Sequence, residues 1–319
     1  MGGLFFELLL QLLEAMTRYS SWVQRRIEDG GKPLIVDGGM GTELEKAGVP
    51  MDGRIWSGHA ILSSPHVVQM THEKFIEAGA EAIIANTFST ARHVLEPAGL
   101  GNRVREINVA AIKLARQARD ATAQRPVAIV GSICEWTAET GGNWSAPDAV
   151  GDSAKEQGEI LAEAGVDVIA LEMCERIELS QVVAEVITEL SLPVWIGVSA
   201  GTCREDGTLP VFSYPERDFE ELVVAVSAFP VSVINVMHTA VGDVVKAMEV
   251  VRRHWSGPIG VYPESGYFTM PNWQFIDIIE PFDLAQYALE WAANGARLIG
   301  GCCGLGPAHI RELHSTFDI

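Results

Sequence analysis

Residues 300–304 read GGCCG, placing Cys302 beside Cys303 among three glycines. Two thiolates suit zinc, which prefers sulfur and nitrogen donors in a tetrahedron and, when catalytic, keeps one position open. Side chains on a regular strand alternate faces, so neighbours converge on one ion only where the backbone leaves strand geometry. Gly300, Gly301 and Gly304 permit that departure. A third donor must then come from another strand end. Inert buried thiols and a vicinal disulfide are the competing readings. The five cysteines, Cys134, Cys174, Cys203, Cys302 and Cys303, are odd in number and irregularly spaced, which points to a reducing, cytoplasmic setting.

The elements that must position these thiols follow from an alternation of short apolar runs with helix-length segments. Strands are expected at 34–39, 82–88, 126–133, 166–173, 194–200, 231–237, 258–266 and 296–304, each followed by a helical pattern. Ser64-Pro65 and Pro215 open helices, Asp152 caps one, and Gly79, Gly165 and Gly295 close others. Strands this apolar on both faces suit a parallel sheet covered by helices, and eight such units suit a closed (β/α)8 (TIM) barrel, with an open doubly wound sheet as the alternative. Barrel active sites form at the carboxyl ends of the strands. The polar residues there are Asp37, Gly38, Gly39, Asn86, Thr87, Ser132, Glu172, Asn235, His238, Tyr262 and Glu264.

The chain has 319 residues, 48% of them hydrophobic, enough for one large core. No linker divides it, so residues 31–319 read as the barrel and residues 1–30 as a helical extension. A net charge of −19 repels phosphate backbones and anionic membranes, which argues against nucleic acid and membrane partners. The apolar start GLFFELLLQLLEAM carries Glu7 and Glu14 and lacks a basic region, so it is a poor export signal and too short to span a bilayer. It is expected to bury itself on the body or on another copy, which is compatible with a homo-oligomer; an interfacial membrane helix is the lesser reading.

Several segments carry a resemblance: VDGGMGTELEKAG (36–48), the Trp56 segment, THEKFIEAGAEAIIANTF (71–88), LEM (171–173), YPESG (262–266) and EWAANGARLIGGCCGLGPAHI (290–310). Together they resemble the homocysteine S-methyltransferase family from about residue 33 to 315. The resemblance implies a zinc-bound substrate thiol with Cys302 and Cys303 as two of three cysteine ligands, and an amino acid held by Gly38, Gly39 and Glu172. Zinc removes the thiol proton near neutrality, and the thiolate displaces a methyl group from a positively charged donor. Glu172 would grip the substrate ammonium, and main-chain amides near Gly38 and Gly39 its carboxylate. Asp37, Asn86, Asn235, Trp56 and Glu264 complete the expected substrate site.

The sequence departs from the family pattern at the sixth strand, where an Asn-Cys motif is expected and Asn235-Val236 stands. Val236 cannot ligate metal. His238 as surrogate ligand, a weakened or lost zinc site, and an inward-folded Cys203 or Cys134 are the three ways to read this. Glu264 replaces an asparagine and Met173 a hydroxyl residue, so the acceptor could differ from homocysteine. Trp56, Phe88, Trp136, Trp144 and Tyr267 could cage a sulfonium or quaternary ammonium donor, with packing under loops as the competing reading. Glu135 and Trp136 fit donor specificity. The expected activity is S-methyl transfer between an onium donor and a small thiol. Two alternatives are acid–base cleavage of a sulfonium by Glu172, Glu264 and His238, and non-catalytic binding.

Overall fold

The computed structural model describes residues 22–136 and 146–317. Its eight principal strands are parallel and share one sheet. They are β1 (Leu34–Ile35), β2 (Ala82–Ile84), β3 (Ala128–Cys134), β4 (Val168–Cys174), β5 (Val194–Val198), β6 (Val233–Ala240), β7 (Ile259–Glu264) and β10 (Ala296–Ile299). In β10 and β1, Leu298 pairs with Leu34 and Ile299 with Ile35. Across the remaining seam Val36 bridges Ala82 in parallel, and Asp37 N donates to Ala82 O at 3.0 Å. The sheet therefore closes on itself, giving the expected (β/α)8 barrel.

Strand alternation divides the apolar side chains. Leu34, Val36, Ala128, Val130, Val168, Ala170, Trp195 and Leu298 fill the interior. Ile35, Ile129, Ile169, Ile196 and Ile234 instead join the core under the helices. Of the expected amino-terminal extension only residues 22–30 fall among the described residues, helical over 22–28. Their Val23 and Ile27 enter the interior cluster beside the strand starts and plug that end of the barrel. Among the described residues no helix is long and apolar enough to cross a membrane.

All eight expected strands are present, with altered ends. The eighth stops at Ile299, so GGCCG lies outside the sheet, and the sixth continues to Ala240 and carries His238. The seventh ends at Glu264, after which the chain folds back as an antiparallel hairpin, β8 (Tyr267–Thr269) and β9 (Asn272–Gln274), that the sequence reading did not foresee. Asp152 is not a cap: it lies inside the helix Pro147–Ala164, because Pro147 presets the first helical φ five residues earlier. The helix after Pro215 starts at Phe219, capped by Asp218, which accepts from Glu220 N at 2.7 Å. Gly79 and Gly165 are left-handed caps at φ 112° and 86°.

Trp195 is fully buried in the barrel interior. Trp195→Ala leaves a cavity that rigid strands cannot close, so denaturant unfolding should show a loss of about 3–5 kcal/mol.

Candidate active site

The backbone past Ile299 is stitched to both neighbouring strands. Gly300 N donates to Val261 O at 2.9 Å, Gly301 N to Asp37 O at 3.0 Å and Cys302 N to Pro263 O at 2.8 Å. Ser265 N returns a bond to Cys303 O at 3.0 Å. Gly304, at φ 83°, turns the chain where any Cβ would lie 1.9 Å from Ser265 O. The two thiols consequently face one side, their sulfurs 3.9 Å apart and unbonded.

The strand-six residue that meets them is His238. Val236 is buried in the core under the helices beside Ile234, so a donor at that position would face away from the thiols. The register slips between Met237 and Ala240, and His238 adopts φ 45°, which turns its ring inward. Its Nδ1 lies 3.5 Å from Cys302 Sγ. Among the described residues His238, Cys302 and Cys303 form one group whose ligand atoms all lie within 4.8 Å of one another. Cys134 is buried in a separate cluster with its thiol pushed far up by burial. Cys203 contacts Lys246 Nζ at 3.0 Å. Neither cysteine supplies the third donor.

This donor set fits zinc. Tetrahedral coordination with Zn–S of about 2.3 Å and Zn–N of about 2.0 Å puts sulfurs about 3.8 Å apart and sulfur about 3.5 Å from nitrogen. The observed 3.9 Å and 3.5 Å match those edges. Contact with the Cys303 thiol, aided by the nearby imidazole, lowers Cys302 to about 5, while Cys303 is pushed up in turn. Burial opposes a charge on His238, but the Cys302 and Glu264 charges outweigh it and raise its pKa.

Beside the thiols opens a cleft with about 600 Å³ of atom-free space, mouth included. Its walls bring together Gly38, Gly39, Trp56, Asn86, Glu172, Cys302 and Cys303. Burial pushes Glu172 up to about 7, against a bond donated by the Ser132 hydroxyl. Gly39 N is already committed to Leu305 O at 3.0 Å, so it is not an amide for a substrate carboxylate. Both glycines also allow close approach: a Cβ on Gly38 would sit 2.2 Å from Leu305 O, and one on Gly39 2.7 Å from Cys302 O. Asn86 exchanges two bonds with Ser57, Ser57 Oγ donating to it at 2.9 Å and its Nδ2 donating to Ser57 O at 3.0 Å. Those bonds fix the loop carrying Trp56.

Other expected residues lie elsewhere. Asp37 Oδ2 accepts from Ile84 N at 2.9 Å, and the carboxyl serves the β1–β2 seam, raised by burial. Asn235 is fully buried with its amide against Gly260, beneath the cleft. Glu264 stands behind His238, its Oε2 3.0 Å from Nε2. Glu135 is structural: it accepts from Glu175 N at 3.0 Å, Arg176 N at 2.6 Å and Ser180 Oγ at 2.6 Å. Trp144 lies outside the described residues. Tyr267 is half exposed, and Trp136 packs against the second core cluster. The aromatic row at the mouth runs from Trp56 through Phe268 to Trp273 and on to His238 and Phe212. Sequence reasoning missed Phe268, Trp273 and Phe212; the Met270-Pro271 turn between two short aromatic runs was the signal for the first two.

A family model described as homocysteine S-methyltransferase matches residues 34–317. The chain belongs to this family. Homocysteine S-methyltransferase 3 of Zea mays is 26% identical over 321 residues, 93% of each chain. The selenocysteine methyltransferase of Astragalus bisulcatus is 25% identical, over 92% of this chain and 94% of that one. The metallated form of the homocysteine methyltransferase MmuM from Escherichia coli shares the fold, with a TM-score of 0.73 at 24% identity over 91% of this chain and 98% of that chain. Within the homocysteine S-methyltransferase family, then, this chain brings an imidazole to its pair of thiols.

The glycine contact yields a direct check. A methyl group on Gly39 also meets Thr42 Oγ1 at 2.4 Å, and relief must displace the Cys302 carbonyl. Gly39→Ala should lose about 1–3 kcal/mol of stability on thermal or denaturant unfolding. It should also bind less zinc than the parent by elemental analysis at equal supply.

Proposed function

We propose that this enzyme transfers a methyl group from a small sulfonium or quaternary ammonium donor to a thiol amino acid of the homocysteine class. Zinc held by His238, Cys302 and Cys303 would supply Lewis acidity that deprotonates the acceptor thiol near neutral pH. The observation that carries this reading is the grouping of the three donors within 4.8 Å, with Cys302 at tetrahedral-edge distances from both Cys303 and His238.

The chain's own residues do the rest. Glu172, facing the same cleft as the thiols, grips the substrate ammonium and so aims the acceptor sulfur toward Cys302 and Cys303. Trp56 leans over Gly41, where a Cβ would lie 2.4 Å from its ring, and its indole lines the cleft. That indole and the aromatic row at the mouth suit a methylated cation by cation–π attraction and shed water around it. The homocysteine and selenocysteine methyltransferases of Zea mays and Astragalus bisulcatus support a soft chalcogen acceptor here.

The test is incubation of the zinc-supplied protein with homocysteine and, in turn, S-methylmethionine, S-adenosylmethionine, betaine and dimethylsulfoniopropionate, with mass detection of methionine. Methyl transfer from at least one donor, abolished by a chelator and restored by zinc, is expected. No transfer from any of them refutes the proposal.

Glu172 supplies a pH signature. Its raised pKa leaves the carboxyl largely neutral below about 7 and ionised above. KM for the amino acid should therefore fall as pH rises through about 7. Glu172→Gln should raise KM about 10- to 100-fold, the worth of a bond to a charged group, and flatten that dependence. Steady-state KM across pH 6–8 checks both.

A further inference from the structure

The imidazole of His238 has two nitrogens with different neighbours. Nδ1 lies 3.5 Å from Cys302 Sγ and Nε2 lies 3.0 Å from Glu264 Oε2. Glu264 is itself nearly enclosed, with 11% side-chain exposure, and its Oε2 has no aligned hydrogen bond, so the contact to Nε2 is its compensation. The carboxylate does not join the group that could hold a metal, which consists of His238 and the two cysteines. It sits one shell behind.

Its placement is registered to the thiols by the backbone. Pro263 O accepts from Cys302 N and Cys303 O accepts from Ser265 N, so Glu264 is flanked on both sides by bonds to the two cysteines. Ser265 is anchored in turn, its carbonyl by Trp273 Nε1 at 3.1 Å and its hydroxyl by Ile279 N at 2.8 Å. The His238 ring is gripped edge-on by Phe212 at 4.7 Å and Trp273 at 5.8 Å between centroids. A ligating histidine needs one nitrogen deprotonated and aimed, which a carboxylate on the other nitrogen achieves while raising ligand basicity.

We propose that Glu264 is the positioning residue of the metal centre, its carboxylate in contact with Nε2 keeping the ring proton on that nitrogen so that the Nδ1 lone pair faces the two thiols. The carboxylate also supplies the negative charge that an imidazole, unlike a third thiolate, does not bring. This inference rests on the zinc reading above. It concerns Glu264 and His238, which the sixth and seventh strands bring together at adjacent ends.

The test measures zinc affinity of the apo protein by competition with a chromophoric chelator, alongside cobalt(II) substitution and far-UV circular dichroism. Glu264→Ala should weaken zinc about 10- to 100-fold, the range for an outer partner of a ligand, and perturb the cobalt ligand-field bands while the apo fold is unchanged. Glu264→Gln, whose amide oxygen still accepts from Nε2–H, should recover part of that loss. In a His238→Ala background, Glu264→Ala should cost nothing further. Wild-type affinity in Glu264→Ala, or an undiminished additional loss without His238, overturns this inference alone. Absence of zinc from the supplied wild-type protein overturns the metal reading and this inference together, whatever the outcome of the methyl-transfer assay.

Discussion

Everything at the mouth of the barrel depends on the place where the eighth strand lets go of the sheet. A strand continued through residue 303 would send Cys302 and Cys303 to opposite faces. Release at Ile299, followed by bonds to Val261, Asp37 and Pro263, brings both sulfurs to one side without loosening the loop. The first strand is drawn in by the same event, because Gly38 and Gly39 press on Leu305 and Cys302 where no side chain could fit. The substrate cleft is the space left between those two loops and the end of the fourth strand.

Electrostatics gives this mouth its chemical character. Glu172 lines it, with Asp37 in the seam beneath and Glu264 behind His238, under an overall charge of −19, and among the described residues the group at its centre that can carry a positive charge is His238. Burial raises Asp37 and Glu172 well above the ordinary carboxyl range. A site that holds acids it cannot comfortably ionise gains when a cation enters. An ammonium on the acceptor, an onium on the donor and a divalent metal are three such cations. The acidic aromatic cleft and the thiol group are therefore one design rather than two.

The eight strands were legible because parallel barrel strands are buried on both faces and read as plain apolar runs. The thiol pair was legible because adjacent cysteines among glycines have few structural uses. Strand six shows where sequence alone gives out. The family's Asn-Cys motif set the expected ligand position at Val236 with His238 as one possible surrogate; the register slip past Met237 is what brings His238 to the thiols, and one-dimensional periodicity carries no sign of a slip. Asp37 and Glu135 show a related ambiguity: a carboxylate that accepts backbone N–H groups looks in sequence like one that awaits a substrate. The hairpin after Glu264 escaped because its strands are only three residues each, too short to show a period.

The replacement of sulfur by nitrogen at His238 has a consequence for durability in air. A centre built from three thiols can lose its metal through any of three sulfur pairings. Here the only sulfurs in the group are Cys302 and Cys303, neighbours in the chain, and the imidazole offers no third partner for oxidation. A closure between adjacent residues is strained and readily reduced, so the proposed metal centre would be restored under milder reducing conditions than a three-cysteine one.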